Sequence, residues 1–229
     1  MQVTEDVGPG DSLDDLLGGT DQAAATDGLL AWARALGELH ATTAGRASRA
    51  MRAMRCADVS ELLHALQEPG PFLALSNGDA CPYNSRITHQ GVRFFDFELA
   101  GFRHCLLDGA FLRMSFPSCY RWGRLPVDVR AAAENAYRDA LAPIDDDTYR
   151  RGMAAAGGAW AIVHAVQLPG PEQQDQRRAV RIHAVIADFV EVARTAGWLG
   201  AFAGWFARRI PAAEPVPIYP AFASLGSAG

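Results

Sequence analysis

Between Phe72 and Phe102 the sequence stops behaving as a helix, while on both sides of that stretch apolar residues recur at helical spacing. Within the segment FLALSNGDACPYNSRITHQGVRFFDFELAGF, Arg86–Thr88 and Val92–Phe95 read as two short strands around a His89-Gln90-Gly91 turn. A chain built this way has to fold as a mainly α (α+β) domain that carries one small β-hairpin flanked by loops. Loops held on a rigid scaffold are where binding and catalytic residues concentrate.

The helical flanks have recognisable starts and stops. Ser12 with Asp15 is a capping-box variant that opens a short helix, Leu13 to Leu17, and Gly18-Gly19 ends it. A long helix fits Asp21 to Thr43. Leu29, Ala33, Leu36 and His40 fall on one stripe of it, with Trp32 and Leu39 beside them. Asp58 and Glu61 mark a helix start that runs to Gln67, where Pro69-Gly70-Pro71 stops it. Beyond Cys105 the predicted helices are Leu106–Arg113, Val127–Leu141, Asp146–Gln167, Gln174–Ala196 and Leu199–Arg209. Gln2–Thr4 reads as the end of a strand, and the Pro- and Ala-rich tail from Pro211 as irregular coil or a fraying end.

Composition removes several classes of function. The net charge of −5 over 229 residues is not that of a nucleic-acid binder. No run of about 18 apolar residues predicts a transmembrane helix, and the acidic start MQVTEDVGPGDSLDD is unlike a signal peptide. Cys56, Cys81, Cys105 and Cys119 show no CxxC spacing and read as reduced thiols in a cytoplasmic protein. All 21 Lys and Arg positions are arginine, so the sequence contains no lysine.

Chemistry concentrates in the non-helical stretch. The loop Asn77-Gly78-Asp79-Ala80-Cys81-Pro82-Tyr83-Asn84 sets a carboxylate, Asp79, five residues before a carboxamide, Asn84. Twelve residues further on comes Asp96, directly after a strand. Phosphoryl transfer needs such a set: one Asp to accept the proton of the attacking hydroxyl, and an Asn and a second Asp to hold magnesium. Magnesium takes hard oxygen ligands and keeps several waters, so few protein ligands suffice. A hairpin between the loops would bring Asn84 and Asp96 together.

These residues resemble the catalytic machinery of the aminoglycoside phosphotransferase and choline kinase-like family, which has a protein-kinase-like fold. Asp79 to Asn84 resembles that family's catalytic loop, with Asn77 standing where the family has His. Phe95-Asp96-Phe97-Glu98 resembles its metal segment, and Gly101–His104 with Leu107-Asp108 resembles the stretch whose Asp supports the catalytic loop. Thr4–Gly8 resembles the hinge between the two lobes, and Ala35–His40 the helix that follows it.

The resemblance implies a C-terminal lobe without its ATP lobe. Residues 1–10 would be a hinge-like segment and 11–210 the lobe. Its catalytic and metal loops would lie in 76–101, its helical acceptor side in 105–210, and a tail in 211–229. Asp79 would be the catalytic base, and Asn84 and Asp96 the magnesium ligands. Asn77, Glu98 and Asp108 would be supporting residues, and Glu5, Asp6 and Val7 the nucleotide hinge. Mg2+ and ATP are the implied cofactors. The implied partner is a small-molecule hydroxyl substrate: an aminoglycoside, an amino alcohol such as choline or homoserine, or a sugar. Without the Gly-rich loop and strand lysine of the missing lobe, the chain alone is expected to be inactive. A separate N-lobe polypeptide or an upstream start codon would each account for it, and the face the lobe would cover would favour self-association. The rival reading is a non-catalytic, pseudokinase-like binding or scaffold module. No nucleic-acid or membrane partner is expected.

Other residues have plainer readings. Glu98 stands open between a group beside the metal and a solvated charge. His40 reads as a cap or core residue, and Arg103 and His104 as orienting Asp108 or covering a helix start. His64, His164 and His183 read as structural, and Trp160, Trp198 and Trp205 as core. Asp145-Asp146-Asp147 reads as a helix-start cluster, and Arg49, Arg52 and Arg55 as one solvated face. The face around Gln2–Val7 and Phe72–Leu75 is expected to be open and apolar, where an N-lobe would cover it.

Overall fold

The computed structural model describes residues 9–43, 61–114, 116, 119, 121–165, 176–209 and 216–225. The hinge residues Glu5, Asp6 and Val7, the strand end at Gln2–Thr4, the helix start at Asp58, Cys56 and the arginines at 49, 52 and 55 lie outside them. So do the side chain of Trp205 and the tail residues 211–215.

Ser12 caps the first helix, α1 (Leu13–Gly18), by accepting from the Asp15 backbone N–H at 3.0 Å. Its hydroxyl also donates to the Asp15 carboxylate at 2.6 Å. Asp21 caps α2 (Gln22–Thr43) by accepting from the Ala24 N–H at 3.0 Å. The expected stripe faces inward: Leu29, Trp32, Ala33, Leu36 and His40 are all buried. α3 (Glu61–Gln67) ends where expected, before the Pro69-Gly70-Pro71 stop.

The irregular stretch holds two antiparallel pairs rather than one. β2 (Ser85–Thr88) and β3 (Gly91–Phe94) make the expected hairpin, in register Ser85↔Phe94 to Thr88↔Gly91. Around it, β1 (Leu73–Ser76) pairs with β4 (Gly101–His104), Leu73 opposite His104 and Ser76 opposite Gly101. This second pair corrects the reading of Phe72–Leu75 as an open apolar face. Phe72 is 4% and Ala74 1% exposed, and the Phe72 ring stacks on His104 at 4.8 Å.

α4 (Leu106–Gly109) is shorter than predicted and tightens into a 3-10 turn over Ala110–Leu112. α5 (Val127–Ala140), α6 (Asp146–Ala165), α7 (Gln176–Ala196) and α8 (Gly200–Arg209) match the predicted helices over the described residues, with the predicted end at Gln167 and start at Gln174 lying outside them. Asp145 caps α6 by accepting from Thr148 N–H at 2.9 Å, while Asp146 pairs with Arg138 and Asp147 with Arg150. The acidic triplet is therefore a helix-start cluster, as read. Part of the tail packs instead of fraying. The Arg124 N–H donates to the Pro217 carbonyl and the Tyr219 N–H donates to the Arg124 carbonyl, and Phe222 is fully buried beside α1.

The core joins both halves. Trp32 of α2 meets Phe94 of the hairpin at 6.0 Å and Phe116 at 5.7 Å, both edge to face. α2 also lies closely along α5, an approach that Gly37 makes possible. A Cβ there would sit 2.5 Å from the Tyr137 carbonyl oxygen and 2.7 Å from the Ala140 Cβ.

Gly37→Ala tests that contact with a sign. Helix propensity alone would stabilise the chain by about 1 kcal/mol, whereas overpacking against a backbone carbonyl costs about 1–3 kcal/mol. The expected outcome is a net loss in the denaturant midpoint. An equal or higher midpoint would show that the two helices do not meet there.

Candidate functional site

The structure gathers the loop around Asp79, the segment ending in Asp96 and the start of α4 into one network. Asn77 lies at its centre, fully buried at the end of β1. Its backbone N–H donates to Asp108 Oδ2 at 2.8 Å. Its side-chain NH2 donates to the Phe95 carbonyl at 3.3 Å and points at the Asp96 carbonyl at 3.5 Å. Its side-chain oxygen accepts from the Asp79 N–H at 3.1 Å. One carboxamide thus spans both loops, using its donor and acceptor together.

Gly78 lets the loops approach this closely. It adopts φ 86°, and a Cβ there would lie 2.9 Å from the Leu99 carbonyl carbon. Asp96 itself is held at φ 59°, a region that Asp tolerates better than most side chains. Positive φ at a non-glycine carboxylate is the sort of backbone strain that accumulates at functional sites.

Asp79 is half-buried. Its Oδ2 accepts from the Asn84 side chain at 3.2 Å, and the same NH2 reaches the Asp79 carbonyl at 3.0 Å. Oδ1 is buried and has no hydrogen-bond partner among the described residues. Burial pushes the Asp79 carboxyl above its ordinary range, the Asn84 bond opposes this, and the nearby carboxylates of Asp96 and Asp108 add to the rise. Asn84 is 4% exposed and closes a 3-10 turn, Pro82–Asn84. Its carbonyl accepts from the Phe95 N–H at 3.1 Å, so the hairpin brings the end of one loop beside the start of the next, as its spacing predicts.

Asp108 lies beneath the loops and is 1% exposed. Besides Asn77, it accepts from Ser76 Oγ at 2.9 Å and faces His40 Nε2 at 3.4 Å. Among the described residues, Arg103 and His104 make no hydrogen bond to it: Arg103 donates to the Leu99 carbonyl and His104 stacks on Phe72. Asp96 and Glu98 are exposed at the surface. Asp79, Asn84, Asn77, Asp96 and Asp108 are therefore brought together, while among the described residues Glu98 has no interaction that ties it in. Ser76 and Tyr137, the latter bonded to His40, belong to the network and were missed in the sequence. The inward stripe of α2 was the one signal that pointed towards them.

Cys81, inside the loop, is joined to Cys119 as a disulfide, with Cα atoms 5.5 Å apart. This corrects the expectation that all four cysteines stand as thiols. The spacing of 38 residues carries no motif, and only folding brings the two together. Cys105 is free and buried, its thiol pushed up to about 12 by desolvation.

A cavity of about 210 Å3 opens beside the loop, lined among others by Ser76, Gly78, Arg103, Asp108, Leu107 and Trp160. Among the described residues, no three His, Cys, Asp or Glu side chains gather as a metal cluster. A magnesium site needs fewer: a carboxylate, one more hard oxygen and several waters fit its chemistry. Asn84 and Asp96 supply oxygens of that kind, and the buried, unpaired Oδ1 of Asp79 leaves one acceptor in want of a donor or cation. No helix among the described residues is long and apolar enough to cross a membrane. Compared with models of known protein families and with curated proteins, the chain matches none.

Two outcomes follow from this geometry. Denatured without reductant, the chain should titrate two thiols fewer than after reduction, and equal counts would show Cys81 and Cys119 unjoined. The second concerns Asp79, whose carboxyl is raised on folding, so the folded state holds its proton more tightly than the unfolded chain. Its contribution to stability is therefore present at acid pH and lost as pH rises through the raised value. Asp79→Asn should raise the melting temperature at pH 7, with the gain shrinking as pH falls through the carboxylate range. A loss of stability at pH 7 would contradict the burial of an uncompensated charge there.

Proposed function

We propose that the chain is the catalytic lobe of a small-molecule phosphotransferase, transferring the γ-phosphoryl group of ATP to a substrate hydroxyl. The observation that carries this reading is Asp79. One carboxylate oxygen is fixed by Asn84 and the other is buried and unpaired, beside an Asn and an Asp able to hold magnesium.

The protein's part in the reaction is positioning and proton acceptance. The Asp79 carboxylate would accept a hydrogen bond from the acceptor hydroxyl and then its proton, as the hydroxyl oxygen attacks the γ-phosphorus and ADP leaves. A carboxyl raised by burial is a stronger base than an ordinary one, and Asn84 fixes its orientation. Asn84 and Asp96 would hold Mg2+, which neutralises charge between the phosphates when bound. The cavity beside Gly78 has an apolar wall from Leu107, Trp160 and Val163, suited to the body of a small acceptor.

The absence of lysine favours one qualification. Kinases of this type use a lysine on the nucleotide phosphates, and an arginine fork is no simple substitute for a compact ammonium. The lobe is accordingly read as one that acts with a second polypeptide or module, or as a binding module that has kept the site without turnover.

The test is a titration of purified chain with magnesium and ATP, followed by ATP consumption over a panel of aminoglycosides, amino alcohols and sugars. Weak, magnesium-dependent nucleotide binding that is lost in Asp96→Ala is expected, without turnover at the about 1–100 per second of kinases. Turnover that vanishes in Asp79→Ala would keep the site and overturn the incompleteness. No magnesium-dependent binding at all would sink the phosphotransferase reading.

A further inference from the structure

His40 comes from α2, far from the loops in sequence, yet it is 1% exposed and lies directly under them. Its Nδ1 is 2.7 Å from the Tyr137 hydroxyl and its Nε2 is 3.4 Å from Asp108 Oδ2. A carboxylate accepts only, so Nε2 carries the hydrogen on the Asp108 side. In the neutral ring Nδ1 then accepts, and the Tyr137 hydroxyl donates to it. Asp108 passes this orientation on, because the same Oδ2 that faces His40 accepts the Asn77 N–H at 2.8 Å. Asn77 in turn holds Asp79 through its side-chain oxygen and the Phe95-Asp96 backbone through its NH2.

The chain of contacts from Tyr137 to His40, Asp108 and Asn77 ends on the two loops. We infer that His40 is a positioning residue, with Tyr137 as its anchor: it fixes the rotamer of Asp108, and so sets the Asp79 loop against the Asp96 segment. A Leu at this place on the stripe would fill the core equally well. A buried imidazole that bonds at both nitrogens does more, because each bond is directional and the ring cannot turn without losing one. Tyr137 is itself held tightly, fully buried with its ring against Gly109 of α4, where a Cβ would sit 2.7 Å from its Cε1. The helix that carries Asp108 and the ring that anchors His40 are thus one packed unit. The catalytic meaning of this positioning rests on the function proposed above; the positioning does not.

The experiment is amide hydrogen exchange by NMR on the full chain, comparing Asn77 and Gly78 with amides in the middle of α6. In His40→Ala, exchange at Asn77 should rise about tenfold beyond any change in α6, the order expected for losing a hydrogen bond to a charged group. His40→Gln, which can still donate to Asp108, should restore most of the protection. Leu36→Ala, one turn earlier on the same buried stripe, should speed both regions alike. Tyr137→Phe removes only the anchoring oxygen. It should loosen Asn77 in the same direction by a smaller factor, and it decides the matter if His40→Ala does not fold.

Equal acceleration of Asn77 and α6 in the His40 and Tyr137 variants, or no difference between the Ala and Gln variants, would overturn the inference. Adding magnesium and ATP to the wild-type sample separates the two proposals. Unmoved resonances at Asn84 and Asp96 would count against the phosphotransferase reading and leave the exchange result to judge His40 alone.

Discussion

A carboxylate with almost no exposure to water must be given donors, because an unpaired buried charge costs several kcal/mol. Asp108 is such a group. Its donors come from β1, in the Ser76 hydroxyl and the Asn77 N–H, and from α2, in His40. Those residues are 32, 31 and 68 positions away. Satisfying this one side chain therefore requires α2, β1 and α4 to be packed together, and with them the loops that β1 leads into. The local order of the candidate site is a by-product of solving that electrostatic problem. Tyr137, bonded to His40, extends the same requirement to α5.

The site built on this foundation goes against stability. Asp79 keeps one oxygen buried and unpaired, Asp96 sits at positive φ, and the carboxylates of Asp96 and Asp108 raise the cost of ionising Asp79. Each of these features is unfavourable alone, and each persists because the surrounding bonds over-determine it. The Asp14–Arg121 pair that links α1 to the segment before α5 shows the contrast: there a buried carboxylate has a guanidinium at 3.3 Å.

The sequence made the helices legible because their signals are local and repeated. Ser12, Asp21 and Asp145 cap where short-range rules place them, and Leu29, Trp32, Ala33, Leu36 and His40 keep the helical period. The β2–β3 hairpin was legible for the same reason, since its turn lies between its strands. β1 and β4 were not. Leu73–Ser76 and Gly101–His104 are four residues each, become strands only by pairing across an intervening hairpin, and show no alternation that survives the contrast with their neighbours. The same limit hid the Cys81–Cys119 pair and the Tyr137–His40 bond, whose partners are 38 and 97 residues apart. Asn77 looked like a departure from the resembled motif. In the structure it bridges both loops, because an amide offers a donor and an acceptor on one planar group.

The arginines nearest the loops bear on how phosphate charge could be met. Arg86 donates to the Ser85 carbonyl and lies over the Phe95 ring at 5.0 Å, while Arg93 is held by Gln90 at the hairpin tip. Arg103 donates to the Leu99 carbonyl. In the helical half, Arg113 is paired with Glu134 and Arg130 with Asp188 and Glu191. These guanidiniums are engaged in holding the protein together, and diverting one to a phosphate would break the contact it now makes. Arg103 lines the cavity beside the loop but is already bonded to Leu99, and the proposed proton acceptor and magnesium ligands, Asp79, Asn84 and Asp96, are acidic or neutral. A triphosphate brought against them would be repelled unless cations came with it. On the proposed reading, then, phosphate binding at this site is coupled to magnesium. That dependence separates the arrangement from a simple anion pocket, in which fixed arginines would make the metal dispensable.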